Sequence, residues 1–211
     1  MEKTCLASIE PELKDLIQRV LIQYKNPKRY LEQTLDWLSE PYSRFKGYYT
    51  GAMDTVLKEK QTEQVVAISN SGLWLGAIAK SLGHDVRILD VHRPLPFRLY
   101  KRHGPIHWYY ITPKIKCSDG CKIYDLTDTS TIIQSEKDIK DVTKMGVIDF
   151  DKIEKGQRTV IVDADLDEGV SMAVAHRRVL DLGANVVGKI VISKHSKMPG
   201  VRALDELKLE H

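Results

Sequence analysis

The N-terminal part of the chain has apolar residues at helical spacing. The first stripe consists of Leu13, Leu16, Ile17, Val20 and Tyr24. It predicts an amphipathic helix with one face towards a core, and Pro11 is expected in its first turn, where a missing N–H is tolerated. Similar stripes predict a second helix over about 27–38, which Pro41 ends, and a third over about 49–60.

From residue 64 the pattern changes to strand, turn, helix, glycine and strand, and it occurs twice. The first copy, QVVAISNSGLWLGAIAKSLGHDVRILDV, starts at Gln64, and the second, TVIVDADLDEGVSMAVAHRRVLDLGANVVGKIVIS, starts at Thr159. Gly83 and Gly183 are expected to end the two helices in the left-handed conformation. Continuous apolar strands that alternate with helices predict an open, mostly parallel α/β sheet, here preceded by an N-terminal helical segment.

The turns after the first strand of each copy are the candidate ligand-binding loops. They are SNSGL, from Ser69 to Leu73, and DADLDEGVS, from Asp163 to Ser171. Open α/β sheets bind ligands beyond the carboxyl ends of their strands, and amides at a helix N-terminus favour phosphate groups. Neither loop has the Walker A or G-x-G-x-x-G pattern, which argues against a P-loop NTPase and an ordinary dinucleotide binder.

The second turn is rich in carboxylates. If the strand continues, Asp163 and Asp165 point the same way, and a ligand with hydroxyl donors or a hydrated divalent cation would relieve their repulsion. The alternative is a solvated acidic turn in which Asp167 and Glu168 favour the N-terminus of the next helix.

Composition and charge narrow the class of protein. The chain has 211 residues, of which 42% are hydrophobic and 29% charged, as expected for one globular domain, with or without a small appendage. A net charge of +3 is too small to indicate nucleic acid or an anionic membrane as a partner. No leader and no apolar run of about 18 residues is present, so we expect a cytosolic protein.

The cysteines indicate neither a disulfide framework nor a complete metal site. They are Cys5, Cys117 and Cys121. The run CSDGC could add two thiols to a zinc site with His92, His103 or His107, but no second paired cluster is present, and a plain turn is the alternative. The final residues Leu209, Glu210 and His211 are interpreted as a possible tag remnant and are excluded from the fold.

Four short segments together resemble type I phosphoribosyltransferases over about residues 48–207. VIVDADLDEGVS is similar to the family's strand, acidic pair and phosphate loop, and AISNSGL is similar to its pyrophosphate loop. KRHG, at 101–104, is similar to the lysine-x-histidine-glycine run in the lid of the orotate branch. GVRALDEL is similar to a helix near the end of that branch.

The resemblance implies the Rossmann-like phosphoribosyltransferase fold over 48–208, with an insertion at about 108–150. Residues 1–47 would form a helical hood or pack on the core. The implied reaction transfers the 5-phosphoribosyl group of 5-phosphoribosyl-1-pyrophosphate (PRPP) to a nucleobase, an orotate-like pyrimidine or a related base, with release of pyrophosphate. Magnesium is the implied cofactor, and a homodimer is the implied assembly.

The resemblance also assigns roles to residues of this sequence. Asp163 would hold the ribose hydroxyls or magnesium-bound water, and Lys101 and His103 would close over the site as catalytic lid residues. Pyrophosphate would contact Ser69, Asn70, Ser71 and Gly72. The remaining substrate-binding positions are Asp165, Asp167, Glu168, Gly169, Val170 and Ser171, of which the last four would cradle the 5-phosphate. The alternative for FRLYKRHGP is an exposed basic loop.

Several departures from the family pattern leave other functions open. Ala164 stands where the family has its second acidic residue, and Glu168 is electrostatically adverse beside a phosphate unless it points away. A non-catalytic protein that binds PRPP or a nucleotide in a regulatory role is therefore the alternative to the enzyme. A passive partner-binding module is a third class, because fold alone does not fix function. The insertion could form an extra hairpin or bind a partner, and Trp108 to Tyr110 could be strand core or a base-stacking platform.

Overall fold

The computed structural model of the chain describes residues 3–21, 46–69, 71–92, 102–103, 106–107, 122–125, 144–166, 169–195 and 198–207. The helices in these ranges are α1 (Lys3–Leu21), α2 (Lys46–Glu59), α3 (Leu73–Ser81) and α4 (Val170–Asp181). The strands are β1 (Gln64–Ser69), β2 (Asp85–His92), β3 (Arg102–His103), β4 (Ile106–His107), β5 (Lys122–Asp125), β6 (Lys144–Asp149), β7 (Arg158–Val162), β8 (Asp165–Leu166), β9 (Asn185–Val191), β10 (Ser193–Lys194) and β11 (Val201–Ala203). The helix predicted over 27–38 lies outside the described residues.

Among the residues that the structure describes, the main sheet has seven strands in the order β11, β9, β7, β1, β2, β6, β5. β1 pairs in parallel with β2 on one side and with β7 on the other, and β7 pairs in parallel with β9. Both predicted strand–helix–strand units are therefore present, and the fold class, an open and mostly parallel α/β sheet, is confirmed. The carboxyl ends of β2, β1 and β7 lie next to one another at a single edge.

Part of the predicted insertion extends the main sheet. β6 pairs antiparallel with β2, and β5 pairs antiparallel with β6. The C-terminal segment differs from the helix that its resemblance implied. It forms β11 and a 3₁₀ turn, Leu204–Glu206, because Val201 to Ala203 pair in parallel with β9 and gain ladder hydrogen bonds there.

The sheet has a buried core on each face. Val65 and Ala67 belong to one cluster with apolar residues of α1, α2 and α3, whereas Val66 and Ile68 belong to another with residues of α4. The continuous apolar run of β1 thus results from burial on both sides, as is typical of a parallel strand.

Helix α1 packs against the first of these clusters. Leu16 and Ile17 are fully buried, and Lys80 of α3 pairs with Asp15 at 3.0 Å. Pro11 lies inside α1, so the prediction that it opens the helix is wrong. An internal proline costs about 3 kcal/mol, and the burial of the apolar stripe that follows it offsets a cost of that size. Within the residues that the structure describes, none of the helices combines the length and apolarity that crossing a membrane would require.

Replacing Leu16 with alanine tests the packing of α1. We expect Leu16→Ala to lower the free energy of unfolding by about 2 to 5 kcal/mol, because the side chain is fully buried and leaves a cavity. Chemical denaturation measures the loss. The matched control is Leu180→Ala in α4, whose side chain is 47% exposed and whose loss we expect to stay within about 0.5 kcal/mol. Equal effects of the two substitutions would contradict the packing.

Candidate functional site

The two candidate turns meet through a hydrogen bond between side chains. The Ser71 hydroxyl donates to Asp163 Oδ1, which also accepts the Ala164 amide at 2.8 Å. Asp163 is 6% exposed, so its carboxylate is almost entirely removed from solvent. The pairing of β1 with β7 puts both residues at the same edge of the sheet, as the sequence predicted for these two turns.

Gly72 allows the first turn to close on the second strand. A Cβ at this position would lie 2.5 Å from the Val162 carbonyl oxygen and 2.6 Å from that of Ile68. Both are backbone atoms, which cannot rotate away, so a side chain would force the turn off β7. The Gly72 amide donates to Ile68 O at 2.9 Å. In this structure Gly72 therefore allows the turn to approach the end of β7 closely. Its own N–H is already hydrogen-bonded inside the turn.

Glycine precedes the first residue of both helices at this edge. Gly72 is the N-cap of α3, and Gly169 is the N-cap of α4 with φ 78°. Glycine has no side chain to cap the first-turn amides, and the positive end of each helix dipole adds to their attraction for an anion. The Ala173 amide donates to Gly169 O as α4 begins, so the Val170 and Ser171 amides lie in the first turn of this helix.

Asp163 and Asp165 do not form a matched pair of carboxylates. Asp163 is buried, whereas Asp165 is exposed and accepts the Ser193 hydroxyl at 2.6 Å. The alternation expected from the sequence does not hold, because β7 ends at Val162 and the chain bends at Ala164 before the short strand β8. Ala164 itself is fully buried in the cluster on the α3 side. The position after Asp163 therefore contributes a buried apolar side chain to the core.

A second serine–aspartate pair lies one strand away, and the sequence analysis assigned only its serine, Ser69, to the site. The Ser69 hydroxyl donates to Asp90 Oδ1 at 2.7 Å, and the two residues are register partners in β1 and β2. Ser69 is 8% and Asp90 is 4% exposed. The signal that identified Asp163 was absent for Asp90, because Asp90 lies inside β2, which continues to His92, whereas Asp163 directly follows the last residue of β7.

Aromatic residues border the site on the α2 side. The Tyr49 ring packs edge to face on Trp74, the second residue of α3, with ring centroids 5.7 Å apart. Burial raises the pKa of Tyr49, and the charges of Asp205 and Asp165 add to this effect. The Tyr48 hydroxyl donates to the carbonyls of Leu204, at 3.1 Å, and Leu207. The C-terminal segment is thus attached beside the acidic turn.

Several predicted site residues fall outside what the structure describes. These are Asn70, Lys101, Asp167 and Glu168. His103 is described only as backbone, in a short antiparallel pair of β3 with β4. Cys117, Cys121 and Trp108 to Tyr110 also lie outside the described residues. In the rest of the chain, as far as it is described, no group of three or more His, Cys, Asp or Glu side chains could hold a metal ion.

Comparison with known proteins gives similar structures but no family assignment. No protein family and no curated protein matches the chain. Adenine phosphoribosyltransferase from Saccharomyces cerevisiae, solved with D-2,5-dideoxy-2,5-imino-altritol 1,6-bisphosphate and adenine, is 18% identical, with a TM-score of 0.47 and coverage of 74% of this chain and 76% of that one. A purine phosphoribosyltransferase from Pyrococcus horikoshii is 16% identical, with a TM-score of 0.44 and coverage of 74% and 79%.

Adenine phosphoribosyltransferase from Trypanosoma brucei, solved with AMP, pyrophosphate and ribose-5-phosphate, is 14% identical, with a TM-score of 0.42 and coverage of 69% of this chain and 52% of that one. Likenesses at this level carry no argument about activity, and the fold rests on strand order and pairing. All three are adenine or purine enzymes, so the orotate branch stays a prediction of the sequence.

The close approach at Gly72 can be tested by adding a single methyl group. We expect Gly72→Ala to destabilise the protein by about 1 to 3 kcal/mol, because the methyl group meets two backbone oxygens. Thermal and chemical unfolding measure this. In the matched control, Gly188→Ala in β9, the nearest atom is at an ordinary 3.5 Å, and we expect little or no loss. A Gly72→Ala protein as stable as the control would show that the turn does not close on β7.

Proposed function

We propose that this protein is a phosphoribosyltransferase, which transfers the 5-phosphoribosyl group of PRPP to a nucleobase and releases pyrophosphate. The observation that carries the proposal is the Ser71–Asp163 hydrogen bond. This hydrogen bond connects two parts of the site. One is a turn whose composition suits the binding of pyrophosphate, and the other is a carboxylate that suits the binding of ribose hydroxyls. Two glycine-capped helix N-termini beside this bond favour the two phosphate-bearing ends of one substrate.

The chemistry of the reaction fits this division of the site. The bond from C1 of the ribose to the pyrophosphate oxygen breaks, and pyrophosphate leaves with the electron pair. A nitrogen of the base forms the new bond to C1 and gives up its proton to the released pyrophosphate or to water. Positive charge develops on the ribosyl ring as the bond breaks, so a fixed carboxylate near the ring hydroxyls stabilises the transition state. Asp163 would supply this charge, and the first-turn amides of α4 would hold the 5-phosphate.

Magnesium would be carried mainly by the substrate. Magnesium is typically bound through one or two carboxylates together with substrate phosphates and water. One buried carboxylate, Asp163, beside a turn suited to pyrophosphate fits this arrangement, with Asp163 reaching the ion through water. When bound, the ion would neutralise charge on the leaving pyrophosphate.

The remaining assignments are part of the same proposal. Lys101 and His103 would close over the site, supply positive charge to the leaving group and exclude water. Asn70, Asp165, Asp167 and Glu168 remain proposed substrate contacts. The acceptor would be an orotate-like pyrimidine or a related base, and the assembly a homodimer.

The burial of Ala164 favours a second candidate function. A phosphoribosyltransferase-fold protein without catalysis would bind PRPP or a nucleotide as a regulatory signal. Such a protein needs anion-binding turns, but it needs less of the negative charge that would stabilise a positively charged ribosyl ring in the transition state. Asp163 alone provides that part, since the next position is apolar and fully buried.

Calorimetry followed by product assay separates the two candidates. Wild-type protein is titrated with PRPP and magnesium, and pyrophosphate release is then measured with orotate, uracil, adenine and hypoxanthine. The proposal expects binding and release with at least one base. Binding without release would support the regulatory role, and absence of binding would remove both.

Asp163→Asn tests the carboxylate. We expect it to abolish pyrophosphate release, because the amide is neutral, while the melting temperature stays within a few degrees, because Asn can still accept the Ser71 hydroxyl. Asp181→Asn, at the far end of α4, makes the same chemical change and should leave turnover unchanged. Normal turnover by Asp163→Asn would show that the assigned role is wrong.

A further inference from the structure

Asp90, which forms a buried hydrogen-bonded pair with Ser69, has no role in the reaction proposed above. Asp90 is on β2, outside both candidate turns, and its carboxylate is 4% exposed. Its Oδ1 accepts the Ser69 hydroxyl at 2.7 Å. A hydrogen bond to a carboxylate is about twice as strong as one between neutral groups, and its loss in a buried place leaves a polar group unsatisfied.

Ser69 is the last residue of β1 and the first of the SNSGL turn. Two residues later, Ser71 donates to Asp163 beyond the end of β7. The turn is therefore held on both sides, by β2 through Ser69 and Asp90 and by β7 through Ser71 and Asp163. Gly72 closes it further, because a Cβ at this position would meet the carbonyl oxygens of Ile68 and Val162 at 2.6 Å or less.

We propose that Asp90 is a positioning residue, which orients the Ser69–Gly72 turn for the pyrophosphate group of PRPP. This inference rests on the proposed function. Asp90 acts through Ser69: its carboxylate fixes the Ser69 side chain and so sets the direction in which the turn leaves the sheet. An anion-binding turn depends on such support, because a misplacement of about 1 Å is enough to cost about 100-fold in a reaction.

The first test needs no substrate. Hydrogen–deuterium exchange is measured on the free wild-type protein and on Asp90→Ala. We expect faster exchange at the amides of the 69–72 turn in Asp90→Ala, with the amides of β7 and β9 unchanged. Asp85→Ala removes a carboxylate from the other end of β2, where Asp85 is exposed and pairs with Arg87, and should leave the turn as in wild type.

The second test measures binding. We expect Asp90→Ala to weaken the affinity for PRPP with magnesium by about 10- to 100-fold. Asp90→Asn retains an acceptor for the Ser69 hydroxyl and should stay within about threefold of wild type. The double variant Ser69→Ala/Asp90→Ala should be no weaker than the weaker single variant, because both substitutions remove the same hydrogen bond.

The outcomes separate this inference from the proposed function. If wild type does not bind PRPP, the proposed function fails, while the exchange data still show whether Asp90 orders the turn. If wild type binds PRPP and Asp90→Ala binds equally well with unchanged exchange, the positioning role is wrong. If Asp90→Ala does not fold, Ser69→Ala breaks the same bond from the other side, and unchanged exchange in its turn would overturn the inference.

Discussion

The candidate site depends on one constraint, the closure of the β1–α3 turn onto the end of β7. Gly72 fits against the carbonyls of Val162 and Ile68 with no space for a Cβ. This close approach brings the Ser71 hydroxyl to Asp163, a residue 92 positions away in the chain. The parallel pairing of β1 with β7 makes the contact possible, since it puts both carboxyl ends at one edge. Without it, the two turns would be separate loops.

Short sequence patterns correctly predicted the elements whose structure depends mainly on neighbouring residues in the chain. The apolar run at Val65 to Ile68 forms β1, and Gly83 and Gly183 end their helices with φ values of 88° and 83°. Elements that depend on distant partners were not predictable in the same way. A helix was expected for GVRALDEL from its resemblance to the orotate branch, but pairing with β9 gives it an extended start. Pro11 was placed at a helix start because proline is favoured there, whereas burial of the following stripe carries α1 through it.

The same division holds within the site. Aspartate directly after a buried strand identified Asp163, whereas Asp90 lies inside β2 and was assigned only to a strand. The serine that binds each carboxylate could not be chosen from the sequence, because the choice depends on strand register and on the path of a turn. Pairing Asp163 with Asp165 by alternation assumed an extended chain, and the bend at Ala164 breaks that assumption.

The packing of Ala164 explains why no second carboxylate directly follows Asp163. The side chain is fully buried, and its carbonyl accepts the amides of Ile192 at 2.7 Å and Ser193 at 3.3 Å. A carboxylate at this position would lose its hydration inside an apolar cluster, which costs several kcal/mol without a partner. A lone carboxylate avoids the repulsion that raises the pKa of a close acidic pair, so it suits binding of ribose hydroxyls. It also supplies less charge to a developing cation. If the proposed reaction takes place in such a site, it would depend more on the exclusion of water and on cations brought by the substrate or by a closing loop. An enzyme on this scaffold would need both contributions, whereas a sensor that only binds the ligand would need neither.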